Sequence, residues 1–223
     1  MNELKQFWKK YGAGAPVTFV LIAINLVFFI ITIFAGGFDP LTLSKLGANV
    51  PVFITQNHEY YRILTAMFLH GGFIHFLMNM YALYYLGRSL ERSIGPWKYG
   101  LLYFLSGIGS GFFVVFMSPS NSVTIGASGA IFGIIGALLL ITYIRKDWFT
   151  PRSIQSIRIM VILNLVITLT VPNVSPAGHL GGFLVGLALG YFLIPKRPYF
   201  MRKVVEYYQG GEVVGDGDPT IIS

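Results

Sequence analysis

Ser128 lies in the run T-I-G-A-S-G-A-I-F-G-I-I-G at 124–136, where a loop passes into a long apolar segment. A serine hydroxyl is a weak nucleophile and needs a base to take its proton. His179, in A-G-H-L-G-G-F-L-V-G at 177–186, stands on a different, late segment and can approach from the side. Acyl transfer also needs donors aimed at the developing oxyanion. His75 and Asn79, at i and i+4 in H-G-G-F-I-H-F-L-M-N at 70–79, share one helix face and carry such donors, with the Ser128 backbone N–H as another. No carboxylate is placed to orient His179. Asp39 and Glu59 fall in the first connection, and Glu91 falls toward the far end of the second apolar run. The expectation is a Ser–His dyad, with the imidazole held by packing. Phe132, four residues after Ser128, is the ring positioned to stack on it. There are no cysteines, which excludes thiol chemistry, disulfides and Cys–His metal sites. No metal or cofactor is expected.

Taken singly, each of these residues has a plainer reading. Small residues in an apolar helix are more often packing contacts, and an asparagine there is more often interhelical glue. A lone intramembrane histidine can simply bond a neighbouring carbonyl, although ionisable groups at that depth default to functional candidates. Their joint placement therefore has to come from the elements that carry them.

The chain is 54% hydrophobic and 11% charged, against about 25% charged in soluble domains. That composition describes an all-α integral membrane protein. Apolar runs at 16–35, 70–87, 100–118, 126–144, 157–171 and 178–194 predict six spans. Residues 36–69, with Pro40, Gly47 and Pro51 among scattered apolar residues, are too interrupted to span and too apolar for a plain solvent loop. They read as an interfacial connection packed on the bundle. The expected organisation is a basic, amphipathic anchor at 1–15, a membrane domain at 16–195, and a basic then flexible tail at 196–223. No cleavable signal peptide is expected, because the apolar run after the first basic segment is too long for one.

The net charge of +7 does not point to nucleic acid, because the basic residues fall at helix ends as topology requires. With a cytoplasmic N-terminus, fourteen of the sixteen Lys and Arg residues lie inside and only Lys45 and Arg62 outside. Both termini are then cytoplasmic. The fourth, second and sixth spans all start at the outer face, which brings Ser128, His75, Asn79 and His179 to similar depth. Gly129, Gly133 and Gly136 mark one face of the fourth span, and Gly178, Gly182, Gly186 and Gly190 recur every four residues on the sixth. Such faces allow close backbone approach.

These residues resemble the rhomboid intramembrane serine proteases over roughly 16–195. The two-His-and-Asn pattern at 70–79, G-A-S-G-A-I-F-G at 126–133 and the histidine-glycine pattern at 177–186 occur in the family's order. The resemblance implies a six-span rhomboid-like bundle, Ser128 as nucleophile, His179 as base, and an oxyanion site of His75, Asn79 and the Ser128 backbone. His70 and Phe132 would be supporting, and Gly126 would shape the loop. It also matches Arg62 to the arginine of an aromatic–Arg pair and Glu91 to a residue that braces helix contacts. Tyr61 stands where family members often have Trp, and Phe132 where some have Tyr. The implied substrates are single-span membrane proteins, cut near the membrane boundary after a small residue and entering between the second and fifth helices. The compact build fits a bacterial plasma membrane. Two rivals are a catalytically silent rhomboid-like binding protein, and a transporter using the polar cluster as a path. The first typically loses the serine or histidine. The second needs polar residues in both halves of the spans, whereas here they concentrate in the outer half, apart from Asn25 and Glu91.

Overall fold

The computed structural model describes residues 14–172 and 174–200. Within them the regular structure is helical, apart from one antiparallel bridge between Asn49 and Thr124. Helix α1 (Pro16–Phe34) leads into a connection that folds as α2 (Pro40–Lys45), α3 (Pro51–Gln56) and α4 (Arg62–Thr65), the last continuing as a 3-10 turn, Ala66–Phe68. Helix α5 (Phe73–Ala82) passes through a π-turn (Leu83–Gly87) into α6 (Arg88–Ile94). Then follow α7 (Pro96–Met117), α8 (Ser128–Ile144), α9 (Pro151–Thr170) and α10 (Pro176–Leu193). The anchor expected at 1–15 and the tail expected at 196–223 lie largely outside the described residues.

Proline sets several starts. It occupies the first position of α1, α7, α9 and α10, where its missing N–H would have had no intrahelical partner. Side-chain caps reinforce two of them: Thr150 accepts from the Ser153 N–H, and Ser175 from the Gly178 N–H. This is why α7 and α9 begin earlier than the expected 100 and 157. Hydropathy marks the apolar stretch, whereas the prolines mark the backbone start, and charged residues between the two are accommodated at the helix ends. Lys98 in the first turn of α7, for example, reaches the Leu193 carbonyl at 2.8 Å.

Helices α1, α7, α9 and α10 are long and apolar enough to cross a membrane. The segments Arg62–Phe68 and Phe73–Ile94 form a pair bent by 92°, so the second expected span enters through a sharp turn at Leu69 to Gly72. Helix α8, at seventeen residues, is about 26 Å long, shorter than the roughly 30 Å of a bilayer core. It is also the centre of the bundle, with twelve of its residues buried.

Glycine contacts explain how tightly α8 and α10 pack. A Cβ at Gly182 would collide with the Gly129 carbonyl oxygen, and one at Gly186 with the Gly133 carbonyl. On the other side, a Cβ at Gly136 would lie 2.5 Å from the Phe183 carbonyl. The two backbones touch, as the spacing of small residues predicted.

At the far end of the bundle Glu91 fastens α1 to α6. Its carboxylate accepts from the Val17 N–H at 2.9 Å, the Thr18 N–H at 2.8 Å and the Thr18 hydroxyl at 2.7 Å. Helix α1 has no capping side chain of its own, so a carboxylate from a distant helix satisfies its free N–H groups and complements its dipole. A basic residue at this end serves helix C-termini in turn. Arg145 donates to the Ile144 and Pro195 carbonyls.

Candidate active site

The loop before α8 is held by the first connection. Asn49 and Thr124 exchange backbone hydrogen bonds at 3.0 and 2.9 Å, and the Val52 N–H reaches the Ser120 carbonyl at 2.8 Å. The Gly126 N–H donates to the Ala66 carbonyl at 2.8 Å. Gly126 itself has φ +119°, a conformation that L side chains rarely adopt. Two residues later the chain enters α8, and Ser128 is its first residue. The hydroxyl is therefore carried at a helix N-terminus, where free N–H groups favour negative charge.

The connection owes its own shape to Arg62, which is 6% exposed. Its guanidinium donates to the Ser44 carbonyl at 2.6 Å and the Ala48 carbonyl at 3.1 Å, and pairs with Glu59 at 2.6 Å. Phe53 and Tyr61 lie 5.0 and 5.4 Å from its carbon centre. Tyr61, and not a Trp, supplies the adjacent ring beside the Arg62 guanidinium.

On α5, His75 and Asn79 converge on the same loop. A Cβ placed on Gly126 would lie 2.9 Å from His75 Nε2 and 3.6 Å from Asn79 Nδ2. The Gly71 N–H donates to His75 Nδ1 at 3.3 Å. A nitrogen that accepts carries no proton, so neutral His75 holds its hydrogen on Nε2, facing Gly126. Asn79 is buried, and its Nδ2 has no partner among the described residues. Two side-chain donors therefore face one small space beside Ser128. His70 is fully buried, its ring edge-on to those of His75 and Phe76 at 5.1 and 5.4 Å, which fixes His75 from behind.

His179 enters from the first turn of α10. Its ring stacks on Phe132 with centroids 3.9 Å apart and 18° between planes. Phe132 is one turn below Ser128 on α8, so hydroxyl and imidazole occupy adjoining levels of two touching helices. Among the described residues, no hydrogen bond joins Ser128 to His179. The imidazole is held instead on its other side, where Nδ1 lies 2.8 Å from the Thr168 hydroxyl of α9. Sequence reasoning missed Thr168. A search for carboxylates passes over a hydroxyl, and the only available signal was its position near the C-terminal end of the fifth apolar run.

Beside this cluster lies a cavity of about 30 Å³ lined in part by Asn49, Ser110, Thr124, Gly126 and Gly129, room enough for a water molecule with polar partners. Among the described residues no group of three His, Asp or Glu side chains is placed to hold a metal ion.

A bundle of apolar helices with a hydroxyl, an imidazole and two side-chain donors gathered at one end defines an integral membrane protein with a candidate acyl-transfer site. The family follows from comparison with known proteins: the Rhomboid domain model matches residues 57–196, and the chain belongs to the rhomboid family. It is 34% identical over 165 residues to RHOMBOID-like protein 4 of Arabidopsis thaliana, covering 74% of this chain and 41% of that protein. It is 34% identical over 198 residues to Rhomboid protease GluP of Bacillus subtilis (strain 168), covering 86% of this chain and 38% of that protein. It is also 35% identical over 149 residues to Inactive RHOMBOID-like protein 8 of Arabidopsis thaliana, covering 64% of this chain and 41% of that protein. The chain thus spans about two-fifths of the length of these relatives.

Proposed function

We propose that this protein is an intramembrane serine endopeptidase that hydrolyses peptide bonds in or near membrane-spanning segments of single-span membrane proteins. The observation that carries this reading is the stack of His179 on Phe132, one turn below Ser128, with His75 and Asn79 aimed at the loop beside the same serine. Ser128 attacks the scissile carbonyl carbon while His179 takes its proton. The oxyanion is met by the His75 Nε2–H, the Asn79 Nδ2–H and the Ser128 backbone N–H. Collapse of the tetrahedral species returns the proton to the leaving amine and leaves an ester on Ser128. Water from the adjoining cavity, deprotonated by His179, then releases the acyl group. The substrate segment must first leave the helical state, because a helix engages its carbonyls internally.

In this reading the membrane domain covers 16–195 and the polypeptide crosses six times. The broken second span and the short α8 count as two of the crossings. Both ends are cytoplasmic by the charge bias, and the home is a bacterial plasma membrane. Because α8 is shorter than the bilayer core, Ser128 sits below the outer surface, and substrates arrive laterally between α5 and α9.

The test is mass spectrometry of a single-span reporter incubated with the full-length protein in liposomes. Cleavage at one site by the wild type, with loss of at least a thousandfold in Ser128→Ala and His179→Ala, is the expected result. Full cleavage by either variant overturns the assignment. A second reading, a silent membrane-protein binding factor, draws on the similarity to an inactive relative. A serine-directed fluorophosphonate probe separates the two: labelling at Ser128 supports the enzyme, and no labelling of the folded protein supports the binding factor.

A further inference from the structure

We infer that Thr168 is the positioning residue of the base, fixing His179 in the tautomer that leaves Nε2 free to accept a proton. This rests on the reading of His179 as that base. The Thr168 oxygen has two partners. It lies 2.8 Å from the Asn164 carbonyl one turn earlier on α9, and 2.8 Å from His179 Nδ1. A hydroxyl has one hydrogen. A carbonyl can only accept, so that hydrogen goes to Asn164. The contact to the imidazole is then a hydrogen bond only if Nδ1 carries a proton and the threonine oxygen accepts it. Neutral His179 with hydrogen on Nδ1 has its lone pair on Nε2. The reverse arrangement, with Thr168 donating to Nδ1, would leave the Asn164 contact without a hydrogen and put the proton on Nε2, where it blocks proton transfer from serine.

A second observation supports a dedicated role. Of the twenty residues of α9, only Val161 and Thr168 are buried. The helix turns its outer-end threonine inward, and what that side chain meets is the imidazole. Phe132 sets the plane of the ring and Thr168 sets its rotation within that plane. The relay His179 Nδ1–H to Thr168 to Asn164 carbonyl does with neutral groups what a carboxylate does in a triad. It also makes the orientation of the base depend on the seating of α9, a helix otherwise held by little buried surface.

The experiment is nitrogen NMR of the full chain labelled with 15N-histidine in lipid, alongside reporter kinetics. The chain has four histidines, and a His179→Gln spectrum assigns the resonances. Wild-type His179 is expected to show a protonated Nδ1 and an unprotonated Nε2. Thr168→Val, matched in shape but lacking the hydroxyl, should give a mixture of tautomers and about a tenfold lower kcat with KM unchanged, the scale of one lost hydrogen bond. Thr168→Ser should restore both. A protonated Nε2 in the wild type, or wild-type tautomer and kcat in Thr168→Val, overturns the inference. If the wild type cuts no reporter, the proposed function fails, and the tautomer still decides the role of Thr168.

Discussion

Gly126 combines two demands that no other residue type meets. Its φ of +119° belongs to glycine, and the space where a Cβ would sit is bounded by His75 Nε2 at 2.9 Å. Gly126→Ala therefore costs about 1–3 kcal/mol in backbone strain and pushes aside a donor proposed for the oxyanion. Reporter cleavage should fall by at least about tenfold, with the loss in kcat, because the interaction affected is one made in the transition state. Wild-type kcat in Gly126→Ala would show that the space beside His75 is not used by the reaction. At this scale most residues of the candidate site were legible in the sequence. Ser128, His179, His75, Asn79 and the stacking Phe132 are all identifiable from residue type, spacing and span order. Thr168 was not, because its contact with His179 depends on the rotation of α9 about its axis. Helix α9 has apolar residues on nearly every face, so periodicity leaves that rotation open. The imidazole is accordingly held by a hydrogen bond as well as by the packing that was anticipated.

Between helices, the contacts are made by absence of side chain. Gly182 and Gly129 meet backbone to backbone, so Gly182→Ala drives a methyl into a carbonyl that cannot move without moving α8. The expected result is a loss of several degrees in unfolding temperature in detergent, with cleavage lowered because His179 moves away from Ser128. Gly100→Ala is the control: its Cβ would have one neighbour, Val17 at 3.7 Å, an ordinary contact. Removing a helical glycine there should leave stability unchanged or raise it by up to about 1 kcal/mol. Equal losses in the two variants would mean that helix propensity, and not interhelical distance, governs these positions. Glu91→Ala tests the other end of the bundle. It strips three hydrogen bonds from the start of α1 and should cost about 2–3 kcal/mol, as bonds to a charged acceptor do. The glycine faces were legible because a four-residue repeat survives in the one-dimensional order. The bend before α5 and the three short helices of the first connection were legible only as interruption. Gly and Pro mark where a span fails, but the fold that replaces it is set by Arg62 drawing together carbonyls from residues 44 and 48.

For the molecule as a whole, that connection braces the loop that carries Ser128. It lies outside the apolar bundle, yet Asn49 pairs with the loop that carries Ser128, and Arg62 holds the connection in shape. Arg62 is in turn paired with Glu59, whose carboxyl is held below its ordinary 4.5 chiefly by the hydrogen bond from Arg62, which outweighs the opposing desolvation, with lesser help from the bonds that Tyr61 and Asn57 donate. The consequence for stability has a definite sign. A carboxyl whose pKa is lower in the folded protein contributes fully above its unfolded value and loses that contribution as pH falls through the folded one. The contribution of the Glu59–Arg62 pair to the unfolding temperature should therefore be level above about pH 5 and decline below it, as Glu59 takes up a proton and releases Arg62. Glu59→Gln, which keeps the shape without the charge, should lie below the wild type at neutral pH and meet it in acid. Because Glu59 is on the solvent side, added salt should narrow the neutral-pH gap. Asp39, held below its ordinary 3.8 chiefly by Thr42, titrates in the same direction. The Glu59→Gln comparison isolates the Arg62 latch from it. Melting curves of the two proteins from neutral to acid pH, at low and high salt, are the measurement. A gap that stays constant across the range would mean that Arg62 keeps the connection in place through its carbonyl contacts alone, and that the Glu59 charge plays no part in presenting Ser128.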